Sequence, residues 1–273
     1  MNRIDQIFQD LRATGSEGGS GKALMPYITA GDPSVDATGR MLLAIQDAGA
    51  SICELGIPFS DPVADGPVIE ASMTHALDHG ITVGKTFEMV SKVRASLSIG
   101  LVAMVSFSIV HRIGLDKFIS DAKDAGFDGF IFPDLALEES GPACEAAAKS
   151  GLILSMLIAP TTPDDRAAEI AKACTGFVYV VSRAGITGER SELPPELTGR
   201  LKRLRGVTDL PITVGFGIST AQHVREVVTV ADAAIVGSGM MRRVAQARSE
   251  GEDQTVKIVE DYTRELAAGL SPA

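Results

Sequence analysis

Two carboxylates, Glu54 and Asp65, flank the junction between an apolar run and a stiff loop, Cys53-Glu54-Leu55-Gly56-Ile57-Pro58-Phe59-Ser60-Asp61-Pro62-Val63-Ala64-Asp65-Gly66-Pro67. The run from Ala50 to Ile57 carries Glu54 near its end, and the Pro/Gly/Asp-rich loop carries Asp65. A buried strand seldom tolerates an ionisable group without a partner or a task, because desolvating the charge is costly. Turn residues on both sides of Asp65 restrict the loop to few conformations. One acid held deep and one on a stiff loop suit separate acid and base roles. The plainer reading of Glu54 is a structural carboxylate capping a neighbouring amide.

Two short glycine motifs, Gly215-Phe216-Gly217-Ile218-Ser219 and Gly237-Ser238-Gly239-Met240, each follow an apolar run. Glycines there let a backbone approach a ligand and present amides at helix starts, where an anion is favoured. Either motif alone reads as a tight turn; the pair is more specific. Ser182-Arg183-Ala184-Gly185-Ile186-Thr187-Gly188-Glu189-Arg190 is polar and glycine-spotted, suited either to a lid over a site or to an idle surface loop. His75 and His79 lie four apart without the intervening Glu of a zinc-protease helix, so a solvated pair is the simpler reading. His111 and His223 have no ligand-like neighbours. No metal site is expected. No lysine ends an apolar run, so Schiff-base chemistry lacks its amine, and bond breaking would rest on proton transfer by carboxylates.

The elements that must position these groups recur along the chain. Apolar runs fall at 24–30, 50–57, 100–107, 128–133, 152–159, 176–182, 211–216 and 233–237. Helical patterns fall near 35–48, 69–79, 85–97, 115–125, 138–150, 163–173, 195–205, 219–230, 239–247 and 253–268. Runs without polar alternation suit parallel strands buried on both faces, and each gap holds a helical crossover. Eight such units point to a (β/α)8 TIM barrel, with a doubly wound sheet as the rival. Barrel chemistry gathers where strands end. Glu54, Asp65, Tyr27, Asp134, Tyr179 and both glycine motifs fall at or just beyond such ends. Period two puts Ile52, Glu54 and Gly56 on one face; if that face is inward, Glu54 enters the barrel mouth. Ahead of the barrel, Ile4, Ile7, Phe8 and Leu11 mark an additional N-terminal helix, broken by a flexible Gly/Ser arm at 15–21. Residues 1–273 are expected to form a single domain, of which 1–21 are the helix and arm.

Bulk properties narrow the partners. A net charge of −10 argues against nucleic acid or an anionic membrane. The N-terminus has no signal-peptide core, and Ser96–Val110 is too short and too Gly/Ser-spotted to span a bilayer. Cys53, Cys144 and Cys174, odd in number and without CxxC spacing, read as reduced thiols of a cytoplasmic protein.

Several segments together resemble one family, the tryptophan synthase alpha chain, in order and over nearly the whole sequence. They are Pro26-Tyr27-Ile28-Thr29-Ala30-Gly31-Asp32-Pro33, the run from Glu54 to Pro67, Pro133-Asp134, Ala159-Pro160-Thr161-Thr162-Pro163, Tyr179 with Ser182–Gly188, Gly215–Ser219 and Gly237-Ser238. The resemblance implies a (β/α)8 barrel that cleaves indole-3-glycerol phosphate to indole and glyceraldehyde 3-phosphate without a cofactor. It also implies a pyridoxal-phosphate beta chain as partner in an alpha2beta2 heterotetramer of L-tryptophan biosynthesis. The family's catalytic acids match Glu54 and Asp65, its indole-pocket aromatic Tyr27, and its strand-end tyrosine Tyr179. Its phosphate contacts match Gly188, Gly217, Gly237 and Ser238, with Phe216 lining the site and Thr187 closing onto the second acid. The chain departs from the family's usual pattern after the third run, where Val105-Ser106-Phe107-Ser108-Ile109 replaces an aromatic and an asparagine, and at Glu70, a common glutamine. That third loop lines the indole pocket and touches the beta chain in the family. A stand-alone lyase and a non-catalytic ligand-binding barrel are the alternatives.

Overall fold

The uninterrupted apolar runs become parallel strands, since side chains alternate between the inside of a ring and a helical jacket and both sides are dry. The computed structural model describes residues 1–16, 19–62, 65–182, 195–215 and 217–271. Its strands are β1 (Ala23–Thr29), β2 (Ile52–Gly56), β3 (Gly100–Met104), β4 (Gly129–Ile131), β5 (Ile153–Ser155), β6 (Leu157–Ile158), β7 (Val178–Val181), β8 (Ile212–Gly215) and β9 (Ala233–Val236). They pair in the order β5-β4-β3-β2-β1-β9-β8-β7-β6, each pair parallel. The two ends of that order, β5 and β6, are successive pieces of the single run expected at 152–159. The barrel therefore has eight staves, the fifth interrupted at Met156, whose amide donates to the Cys174 thiol at 3.3 Å.

The surrounding helices are α1 (Arg3–Ser16), α2 (Val35–Asp47), α3 (Pro67–Asp78), α4 (Val83–Val93), α5 (Phe107–Ile113), α6 (Leu115–Ala125), α7 (Gly141–Ser150), α8 (Asp164–Ala173), α9 (Pro195–Arg205), α10 (Ala221–Val228), α11 (Ser238–Ala247) and α12 (Glu252–Ala267). Ser34, Thr82 and Thr220 start α2, α4 and α10 by accepting a hydrogen bond from an amide three residues on. None of the described helices is long and apolar enough to cross a membrane. All three cysteines are free, with Cys53 and Cys174 buried.

Two elements differ from the sequence reading. The third strand stops at Met104, and Phe107–Ile113 is helical rather than part of an apolar run. Asp134 causes the turn: it accepts from the Ser106 hydroxyl at 2.6 Å and the Phe107 amide at 2.7 Å. Ser106 in turn caps the new helix by accepting from the Ser108 amide. The N-terminal helix also runs on through Gly15 and Ser16, which belonged to the expected arm; Glu17 and Gly18 of that arm lie outside the described residues.

α1 closes the end of the barrel where strands begin. Ile4 and Phe8 are buried, and Phe8 packs on Phe177, just before β7, with ring centroids 6.3 Å apart. The Asn2 amide nitrogen donates to the carbonyls of Asp128 and Gly151, both 2.8 Å away and ahead of β4 and β5. With that end plugged, a ligand enters from the other.

At the open end, Asp32 follows β1 with no exposed surface. Arg248, capping α11, forks onto it through Nε at 2.8 Å and Nη2 at 2.6 Å. His75 of α3 brings Nδ1 within 3.2 Å of the same carboxylate and stacks on His79 at 4.2 Å. The helical pair read from the sequence as solvated thus leans on a buried acid. Removing one partner of a buried ion pair strands the other charge. Arg248→Met should lower unfolding stability by about 3–5 kcal/mol, read as a shift in urea midpoint.

Candidate active site

Register places Tyr27 of β1 beside Glu54 of β2, and Glu54 beside Val102 of β3. At this level the inward side chains meet at the strand ends. One cavity is lined by Tyr27, Glu54, Asp65, Tyr179, Gly217, Gly237 and Ser238. Seven residues singled out in the sequence are thereby gathered in one place. Thr187, Gly188 and Phe216 lie outside the described residues.

Glu54 is 1 % exposed, and its Oε1 has no hydrogen-bond partner among the described residues. That oxygen caps no amide among the described residues. Burial pushes its carboxyl well above the usual range. Asp65 sits where the β2 loop turns into α3, one residue before the N-cap Gly66 and two before Pro67. Its amide donates to the Pro62 carbonyl at 3.1 Å. Burial and the nearby Asp134 charge push its carboxyl up to about 6. The two acids therefore sit in unlike settings: Glu54 is fully enclosed with its proton favoured by burial, and Asp65, at about 6, is mostly ionised at neutral pH.

Two glycines make room for the two tyrosines. A Cβ on Gly56 would collide with the Tyr27 hydroxyl, and one on Gly215 with the Tyr179 hydroxyl. Each phenol thus lies across a neighbouring stave where any larger residue would displace it. Burial first, then the nearby carboxylates, raise both phenols well above their ordinary range, so both stay neutral.

Across the cavity, Gly217 follows β8, while Gly237 and Ser238 follow β9 and open α11. The start of a ten-residue helix with no side-chain cap favours an anion beside it. Gly66, Ile218 and Gly239, seen in the sequence only as parts of motifs, also line it, and Ile69, Met104, Ile235 and Arg242, which the sequence did not single out, complete the wall. Arg242 could have been found: it lies four residues after Ser238, one turn along the helix. The apolar members gave no signal, since strand-end hydrophobics look like ordinary core. A smaller adjoining cleft, reached past Asp65 and Met104, is lined by Phe59, Asp61, Ser106 and Asp134.

A parallel barrel that gathers two carboxylates and two glycine turns around one cavity at the ends of its strands has the architecture of a TIM-barrel enzyme site. Comparison with known proteins gives the family. The model of the tryptophan synthase alpha chain family matches residues 14–271. A curated alpha chain from Rhodopirellula baltica is 41% identical over 283 residues, covering 100% of both chains. The crystal structure of the alpha subunit from Legionella pneumophila superposes with a TM-score of 0.88 at 33% identity, covering 99% of this chain and 98% of that one. The tryptophan synthase complex from Pyrococcus furiosus contains a chain with a TM-score of 0.80 at 33% identity, covering 89% and 97%. This chain belongs to the tryptophan synthase alpha chain family.

Proposed function

We propose that this chain cleaves indole-3-glycerol phosphate to indole and glyceraldehyde 3-phosphate, with Glu54 and Asp65 as its catalytic residues. The observation that carries the assignment is the placing of a fully buried acid and a loop-borne acid on one cavity with the glycine turns at Gly217 and Gly237. Breaking the bond from indole C3 to the glycerol chain requires protonating C3, which puts positive charge on the ring. Glu54, neutral in its dry setting, gives that proton. Asp65, ionised, accepts the indole N–H and stabilises the charged ring. Glu54, now a carboxylate, takes the proton from the hydroxyl next to the breaking bond. The bond's electrons return to the indole, and the chain leaves as an aldehyde. The proton count closes with Glu54 neutral again.

On this reading the amides of Gly217 and Gly237 and the hydroxyl of Ser238 hold the phosphate, together with Gly188, and Phe216 lines the site. Tyr27 and Tyr179 bound the space between phosphate and acids, and Thr187 belongs to the segment that closes on Asp65. Residues 1–273 act as one barrel domain in the cytoplasm, paired with a beta chain in an alpha2beta2 assembly. Solved tryptophan synthase complexes among the structural neighbours support that pairing. The cleft lined by Ser106 and Asp134 adjoins the acid pair, in the loop where family members contact the partner.

The test is an indole-release assay on the purified chain, with and without a beta chain. Indole should appear with substrate alone and faster with the partner, and the two chains should co-elute. No indole under either condition would overturn the assignment.

A further inference from the structure

Three hydroxyls run from the cavity wall to helix α3. Tyr27 OH lies 3.3 Å from Thr29 Oγ1, and Thr29 Oγ1 lies 2.6 Å from Ser72 Oγ. Ser72 Oγ then donates to the Ile69 carbonyl at 2.7 Å. All three residues are buried, with Thr29 fully so and Ser72 1 % exposed.

The last bond orders the others. A carbonyl can only accept, so the Ser72 proton is committed to Ile69. Ser72 must then accept from Thr29, whose own proton is thereby used. Thr29 in turn can only accept from Tyr27, in a contact that is long for an O–H···O bond. The Tyr27 proton is therefore directed to Thr29, which does not line the cavity, and the phenol oxygen is left to act toward a ligand as an acceptor. Gly56 beside it, where a Cβ would collide with the phenol oxygen, leaves the room that oxygen occupies.

The geometry points to Tyr27 as an oriented hydrogen-bond acceptor that selects a donor group on the bound substrate, with Thr29 and Ser72 as positioning residues that set its direction. This rests on the reading of the cavity as an indole-glycerol phosphate site and deepens it. Indole-3-glycerol phosphate offers two kinds of donor near the acids, a side-chain hydroxyl and the indole N–H, the latter shared with Asp65. Tyr27 lies between the phosphate turn at Gly237, near its Cβ, and Gly56, at its hydroxyl. Either donor is within the span of one ring. A ligand presenting an acceptor at that point would meet lone pairs and be rejected.

The experiment is equilibrium binding of three ligands to the Glu54→Gln chain, which blocks turnover, with and without Tyr27→Phe. The ligands are indole-3-glycerol phosphate, 3-(indol-3-yl)propyl phosphate, which lacks the side-chain hydroxyls, and N-methylindole-3-glycerol phosphate, which lacks the N–H. Tyr27→Phe keeps the ring and should weaken substrate binding about three- to tenfold, the range of one neutral hydrogen bond. The same substitution should leave unchanged the affinity of whichever analogue lacks the donor, and that analogue identifies it. Thr29→Val and Ser72→Ala loosen the hydroxyl without removing it, and should give a smaller loss with the same dependence on ligand. Equal weakening of all three ligands would assign Tyr27 to packing alone, and no weakening would leave its hydroxyl without a role; either overturns the inference. If none of the ligands bound before Tyr27 was changed, the reading of the cavity itself would fall.

Discussion

Glu54→Gln should lower indole release from indole-3-glycerol phosphate by at least about 10²-fold while leaving the fold intact. Glutamine matches the side chain in shape but can neither release a proton to C3 nor recover one from the hydroxyl. Its effect on stability should be small and of predictable sign. Glu54 is buried with one oxygen unpartnered, so no described hydrogen bond to that atom is lost. Burial raises its carboxyl well above the ordinary range, so the native state keeps a proton that the unfolded chain releases above about pH 4–5. The native state's advantage is therefore whole below that pH and erodes as pH rises toward the native value. Glutamine does not titrate, so the variant should melt no lower than the parent, and relatively higher in alkali. Circular dichroism melts at pH 6 and 9 check the stability, and an indole assay checks the rate. Turnover near that of the parent would remove Glu54 from the mechanism.

The barrel was legible because its staves are buried on both faces, so each reads as an unbroken apolar run ending in Gly, Pro or a polar residue. What the runs could not show was where pairing stops. Phe107 and Ile109 extend the third run chemically, but Asp134, which lies far along the chain, takes the Phe107 amide and turns it into a helix. Likewise nothing in Ile153–Ile158 marks Met156 as the break in the fifth stave, since its amide goes to the Cys174 thiol from a later element. The acids and glycine turns were legible for a different reason: a carboxylate in a strand and paired glycines at strand ends conflict with local packing preference, and such conflicts stand out. Thr29 and Ser72 do not conflict with anything. A buried threonine in a strand and a serine in a helix are ordinary, and only the 2.6 Å contact between them gives them a direction. Asp32 was visible within its motif, yet the pairing with Arg248, 216 residues away, was not.

Asp65→Asn should also lose most of the turnover, by a route that pH separates from the first. Burial, then the Asp134 charge, push Asp65 up to about 6. If its carboxylate is what stabilises the charged indole ring, activity of the parent should climb as pH rises through about 6. The asparagine variant should lose that limb and be slow throughout, because an amide cannot supply the negative charge. Phosphate binding should be spared, since the turns at Gly217 and Gly237 follow β8 and β9, whereas Asp65 is carried by the loop after β2. Inhibition by glyceraldehyde 3-phosphate, measured on both proteins, checks this. Stability should move the other way. The native state holds the Asp65 proton up to about pH 6, whereas the unfolded chain releases it near pH 4, so the carboxylate costs native stability above that window, by up to about 3 kcal/mol. Asparagine relieves that cost, so the slower variant should be the more stable at pH 8. A variant that kept its rate, or one that retained the climb through pH 6, would assign the acid limb to another group and leave Asp65 as a loop residue.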